Sequence, residues 1–175
     1  MKYFFTADEH YGHARVLEYC KRPFSSVEEM DEEIIKRHNA VVSAADLVVH
    51  VGDFTLGKDA EPYIKRLNGK HIFIRGSHDR WLKDAPDIWA KQIDSQWVVA
   101  CHYAMRVWPK SHYGSWQVFG HSHGGLPPLG KQHDVGVDNN DFTPVSMAQL
   151  KVIMAALPDN PNLVSGLRER ATDEE

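Results

Sequence analysis

Apolar residues in this chain gather in short runs that stop abruptly at polar residues able to bind a cation. Tyr3-Phe4-Phe5-Thr6 stops at Asp8-Glu9-His10, and Leu47-Val48-Val49-His50-Val51 stops at Gly52-Asp53. His71-Ile72-Phe73-Ile74 breaks into Arg75-Gly76-Ser77-His78-Asp79, and Gln117-Val118-Phe119 leads to Gly120-His121-Ser122-His123. Continuous apolar runs of this length predict strands buried on both faces. A strand that ends this way delivers its polar groups to the mouth of a crevice. Further strands are predicted over residues 96–101, ending at His102, over 115–119 and over 133–137.

Between the strands the period changes. A short helix is predicted over 14–20, stopped by Pro23. A longer one covers 27–42, where Ser26 and Glu29 have capping-box spacing and Val27, Met30, Ile34 and Val41 fall near helical spacing. A third runs over 60–67 to a stop at Gly69, and a fourth over 146–157 behind Ser146. Residues 81–93 read as a helix broken at Pro86. Helices and strands alternate early and strands cluster late, which predicts a mixed α/β domain. It spans 1–157, followed by a polar tail, 158–175, in which fraying is expected.

Composition narrows this little until charge and histidine enter. With 175 residues the chain can bury one sizeable core. A net charge of −4 argues against general nucleic-acid binding but allows a small phosphorylated substrate, since bound cations invert the local field. Cys20 and Cys101 make no paired motif, no apolar run suggests a membrane span, and cytoplasmic residence is expected. The 11 histidines matter more, because several stand beside aspartates.

Asp8 and His10, and likewise His121 and His123, are one residue apart, so in extended backbone each pair faces one way. Asp53 follows a buried strand and is free to bridge two cations through its two oxygens. His102 arrives from another strand. Two carboxylates and four imidazoles form a mixed oxygen and nitrogen set that suits Mn, Fe, Zn or Co better than Ca or Mg. Two such cations can polarise a phosphoryl oxygen and generate hydroxide at neutral pH. His78 is then placed to protonate the leaving oxygen, with Asp79 fixing its tautomer from behind. Among the arginines, Arg106 is the preferred phosphate contact. His50 reads as a core imidazole, His38 as a surface residue, and His71, His112 and His133 as loop or surface.

Taken together and in order, Asp8-x-His10, Gly52-Asp53, Gly76-x-His78-Asp79, His102 and Gly120-His121-x-His123 resemble the motifs of the calcineurin-like metallophosphoesterases, most closely their small single-domain members. The resemblance implies a four-layer α/β/β/α sandwich of two mixed sheets with the metal site at the strand ends. It implies two divalent cations, Mn first, with Fe, Zn, Co or Ni as alternatives. Asp8, His10 and His123 would hold one, Asp53 would bridge, and His102 and His121 would hold the second. By the same resemblance His78 contacts phosphate or leaving group, and His13 is an accessory, substrate-binding residue. The chain departs from the family at Ser77, where the family has an Asn that ligates the second metal. A hydroxyl is a shorter and poorer neutral donor, so weaker second-metal binding and slower turnover are expected.

The expected function is therefore hydrolysis of a phosphomonoester or phosphodiester, a nucleotide among the candidates, by direct attack of metal-bound hydroxide. The alternative is an inactive binding scaffold with the same fold, as in a retromer subunit.

Overall fold

In the computed structural model, which describes residues 1–164, the apolar runs are strands and sort into two sheets. In chain order the elements are β1 (Tyr3–Thr6), α1 (Val16–Tyr19), α2 (Val27–Val41), β2 (Leu47–His50), α3 (Glu61–Ile64) and β3 (Lys70–Phe73). Then come β4 (Ile88–Ile93), β5 (Gln96–Cys101), β6 (Trp116–Phe119), β7 (Gln132–Asp134), β8 (Val145–Ser146) and α4 (Met147–Ala156). One sheet has the order β3-β2-β1-β8 and the other β4-β5-β6-β7. β1, β2 and β3 run parallel, as do β5, β6 and β7; β8 and β4 join as antiparallel edges.

The two-residue period of the strands decides what each face meets. Phe5 and Val49 of the first sheet and Val98, Ala100 and Val118 of the second point into a shared core, closed by Leu150 and Met154 of α4. One residue earlier, Phe4 and Val48 point the other way and pack with Val42, just past α2. On that side Met30 and Ile34 of α2 join Tyr11 and Phe54 in a second cluster. The expected pair of mixed sheets with helices is present. The outward face of the second sheet carries Val99, Gln117 and Gln132 in register. Gln117 accepts from the Met105 N–H at 3.0 Å and donates to the Tyr103 carbonyl at 2.9 Å, and Gln132 donates to the Met105 carbonyl at 2.7 Å. The layer held there is the segment 103–115, with a single 3-10 turn at Ser111–Tyr113.

Helix starts follow the expected chemistry with one change. Ser26 accepts from the Glu29 N–H at 3.1 Å, but the Glu29 carboxylate turns to Ser25, accepting from its N–H at 2.7 Å and from its hydroxyl. At α4 the box is complete: Ser146 accepts from the Gln149 N–H, and Gln149 accepts from the Ser146 N–H.

Three expectations are corrected. Residues 81–93 contain β4, which pairs with β5 from Ile93↔Gln96 to Ile88↔Cys101, not a broken helix. The two-residue turn Asp94-Ser95 has φ of 46° and 67°, the left-handed pair that a tight hairpin requires. His38 is buried and bonds the Asn68 carbonyl at 2.9 Å, and His71 lies in β3 against His50 at 3.0 Å, so neither is a surface group. His50 is a core imidazole, held by Glu9 at 2.7 Å.

Residues 158–164 stay docked. Asn160 is buried and donates to the carbonyls of Ser111 and Ser115 at 2.8 and 2.9 Å. The remainder of the expected tail, 165–175, lies outside the described residues. Among the described residues no helix is long and apolar enough to cross a membrane.

Candidate metal centre

The parallel strands of both sheets end at the same side of the sandwich, and all five motifs begin there. Asp8 N–H donates to the Gly52 carbonyl and His10 N–H to the Asp53 carbonyl, each at 3.0 Å, and Gly120 N–H donates to the His102 carbonyl at 3.1 Å. These bonds join the ends of β1 and β2, and those of β5 and β6, just past their ladders. The extended backbone expected for the paired motifs is corrected by the structure. Asp8, His10, Asp53, His121 and His123 have φ of 59°, 53°, 57°, 67° and 45°. The ladders stop at Thr6 and Phe119, and left-handed residues then swing the side chains inward. Each such residue costs about 1–2 kcal/mol, and strain of this kind concentrates at functional sites.

Two sets of three ligand-type side chains result, Asp8 with His10 and His123, and Asp53 with His102 and His121; within each set the donor atoms lie within 4.8 Å of one another. The sets touch: Asp53 Oδ2 is 3.8 Å from His10 Nε2, and Asp8 Oδ1 is 4.0 Å from His102 Nδ1. Close backbone approach makes room for them. A Cβ on Gly76 would stand 2.2 Å from Asp53 Oδ1, and one on Gly120 would stand 2.7 Å from Asp8 Oδ2.

Hydrogen bonds aim these donors. His102 Nδ1 donates to the Val51 carbonyl at 2.9 Å, so in the neutral ring Nε2 carries the lone pair. His123 Nδ1 bonds Asp138 Oδ2 at 2.6 Å, which likewise turns the other nitrogen to the site. Asp8 accepts the His121 N–H on both oxygens, at 3.0 and 2.8 Å. His10 Nδ1, His13 Nδ1 and His102 Nε2 are buried without a hydrogen-bond partner. Buried nitrogens are rarely left so, and a divalent cation is the group that mixed imidazole and carboxylate donors would satisfy. The residues present therefore fit divalent cations.

Proton affinities reflect this crowding. Burial pushes the Asp8 carboxyl up to about 7, against the pull of His102 and His123. Burial drives His10 down to about 3 despite Asp53. Burial would also raise Asp53, but His102, the His78 N–H and His10 hold it well below the carboxylate range. His123 is raised: burial opposes this, and the bond to Asp138 outweighs it.

Other expected site residues divide. His78 stands beside the centre, its Nε2 3.8 Å from Asp53 Oδ2 and its ring 5.4 Å from His10, with 41% of the side chain exposed to the cleft. His13 joins them, 6.1 Å from the His78 ring. Ser77 donates to Asp53 Oδ2 at 3.0 Å, so its hydroxyl proton engages the central carboxylate. Asp79 is corrected. It does not support His78; its carboxylate accepts from the N–H groups of Asp53 at 2.7 Å, Phe54 at 2.9 Å and Gly76 at 2.9 Å, and from Trp81 Nε1 at 3.1 Å. It positions the Asp53 backbone instead. Arg106 is exposed on the segment 103–115 and is not among the residues lining the cleft beside His78.

A cleft of about 520 Å³ is lined by His10, His13, His78 and His123 together with Tyr19, Cys20 and Lys21. Residues the sequence left unmarked are Asp138 and Asp134. Asp134 accepts from the Gly124 and Gly136 N–H groups at 2.9 and 2.8 Å and so shapes the His121–His123 turn. Arg22 is buried against Asp138. An Asp at residue 138 carried no spacing signal that could have marked it.

No family model matches the chain. It is 32% identical over 161 residues, 83% of its length and 87% of the other's, to the uncharacterized protein MJ1445 of Methanocaldococcus jannaschii. Its fold is similar to the crystal structure of the protein of unknown function AQ665 from Aquifex aeolicus, with TM-score 0.68 and 18% identity over 87% of this chain and 98% of that one. A more distant likeness, TM-score 0.49 and 15% identity over 78% of this chain and 73% of that one, is to Vps29 from Entamoeba histolytica in a single-mutant form. The chain therefore belongs to the family of MJ1445, and its fold is that of the AQ665 structure.

Proposed function

We propose that the protein is a phosphoric ester hydrolase that works with two divalent cations, Mn first among them, on a small phosphorylated substrate such as a nucleotide. What supports this is the pair of three-residue ligand sets meeting at Asp53. Two cations so held would polarise a phosphoryl oxygen and lower the pKa of a water nucleophile.

The protein's own groups do the rest. Asp53, fixed by Asp79 through its backbone and by Ser77 and the His78 N–H through its carboxylate, stands between the two sets. His78 faces the cleft with its Nε2 3.8 Å from Asp53 Oδ2, in reach of a leaving oxygen that needs a proton. His13 and Lys21 add donors in the same cleft, where the charge of a phosphoryl group would lie. His121 is exposed and His78 half-exposed, so the centre is open to an ester carried on a larger group.

The test is hydrolysis of p-nitrophenyl phosphate and of bis-p-nitrophenyl phosphate. The expected result is turnover that requires Mn²⁺, disappears with chelator and is lost in Asp53→Asn. One observation favours a second reading, a binding scaffold: Ser77 engages Asp53 where the family has an amide ligand. A protein that purifies metal-free, takes up no Mn²⁺ and stays inert as Ser77→Asn is the scaffold.

A further inference from the structure

Arg22 is the most deeply placed cationic group near the centre, its side chain wholly buried. Its Nε and Nη2 donate to the two oxygens of Asp138 at 2.7 and 2.8 Å, the two-pronged match of guanidinium and carboxylate. The same Nη2 donates to the Asp8 carbonyl at 2.6 Å, and Nη1 donates to the Glu9 carbonyl at 2.9 Å. Asp138 in turn bonds His123 Nδ1 at 2.6 Å. One guanidinium therefore clamps the left-handed turn carrying Asp8 and His10 and, through Asp138, sets the ring of His123. Those are the three members of one ligand set.

In the other set Asp79 holds the Asp53 backbone, but no such clamp reaches its two imidazoles. His102 is aimed by a carbonyl, His121 is exposed, and Ser77 offers a hydroxyl where an amide oxygen would be a fourth donor. Asp138 could itself be taken for a ligand, since Cys20, His123 and Asp138 also bring donor atoms within 4.8 Å of one another. Arg22 on both of its oxygens removes that option, because a divalent cation there would face a guanidinium at contact distance.

Resting on the two-cation reading above, we propose that Arg22 and Asp138 are positioning residues that make the Asp8–His10–His123 position the firm cation site, while Ser77 leaves the Asp53–His102–His121 position the weak, exchangeable one. The protein would then hold one cation through purification and take the second only from solution.

The experiment is titration of chelator-treated protein with Mn²⁺, following free Mn²⁺ by electron paramagnetic resonance, alongside the melting temperature of the metal-free protein. Wild type is expected to show one tight and one weak class. Asp138→Asn should weaken the tight class by on the order of 10–100-fold and leave the weak class in place. Arg22→Lys, which keeps the charge and loses the fork, should do the same and serves if Asp138→Asn does not fold. Ser77→Asn should tighten the weak class alone. Two equal classes in wild type, or variants of Arg22 and Asp138 that melt lower yet bind both cations as wild type does, would overturn the proposal and leave the two-cation reading intact. Absence of any Mn²⁺ binding by wild type overturns the two-cation reading itself, and this proposal with it.

Discussion

His78 stands apart from its neighbours because it lies beside the ligands without being needed as one. Its backbone N–H binds Asp53 at 2.8 Å, which fixes where the ring begins, while the ring itself faces the cleft. His78→Ala is therefore expected to lower kcat by about 10²–10⁴, the range of a lost general acid, with Mn²⁺ stoichiometry unchanged. Steady-state kinetics beside elemental analysis checks both halves. At this scale the sequence revealed the donors and concealed their supports. Asp8, His10, Asp53, His102, His121 and His123 are residue types that metals use, standing where strands stop. Asp79 looked like a partner for the adjacent imidazole, yet three backbone N–H groups from two loops compete for it, and tertiary contacts decided the outcome. Arg22 and Asp138 lie 116 positions apart, and nothing local in either marks the pair.

The elements were legible where the pattern was strong and local. β1, β2, β3, β5 and β6 came from continuous apolar runs, and α2 and α4 from their serine caps. β4 was hidden because its side chains are largely exposed and its hairpin turn is Asp94-Ser95 instead of a glycine-containing pair. β8 is two residues long, too short for any period to register. The turn gives a direct check. Both residues sit at positive φ, where Asn-Gly fits with less strain, so Asp94→Asn with Ser95→Gly should stabilise the protein by about 1 kcal/mol. The exposed Lys151–Asp94 pair lost in the change contributes little. Denaturant unfolding of the two forms measures the difference, and a destabilised double variant would contradict the turn geometry.

For the molecule as a whole, acid should be the weak side. Burial holds His50 at about 3 in the fold, and His38 and His71 at about 4, all below the ordinary imidazole value. A depressed folded-state value means stability that is present above the unfolded pKa, roughly 6.5, and lost as pH falls toward the folded value. Glu9 in the same cluster is raised to about 7 by burial and acts in the opposite sense, losing stability as pH rises through that value. Asp8 and Asp31, raised by burial to about 7 and about 6, act with Glu9, and His10, lowered to about 3, acts with the imidazoles. The four imidazoles outweigh the three carboxyls, so the metal-free protein is expected to lose stability from about pH 6.5 to 4. Melting temperatures across that window test it; a flat profile would mean the cluster carries protons in the folded state.

The way β1 changes neighbours has a mechanical consequence. Along Phe4 and Phe5 its free edge is taken by β8, but one step past its end Ala7 bridges to Gly136, next to β7 of the opposite sheet. The Ala7 N–H donates to the Val135 carbonyl at 3.1 Å, and the Val137 N–H returns to the Ala7 carbonyl at 3.0 Å. The sandwich is thus sewn shut at the motif end. Breathing motions should pivot on that seam, opening the remote rim and sparing the cleft. Amide deuteration ought to find Ala7 and Val137 among the slowest protons to exchange, with α4 freer.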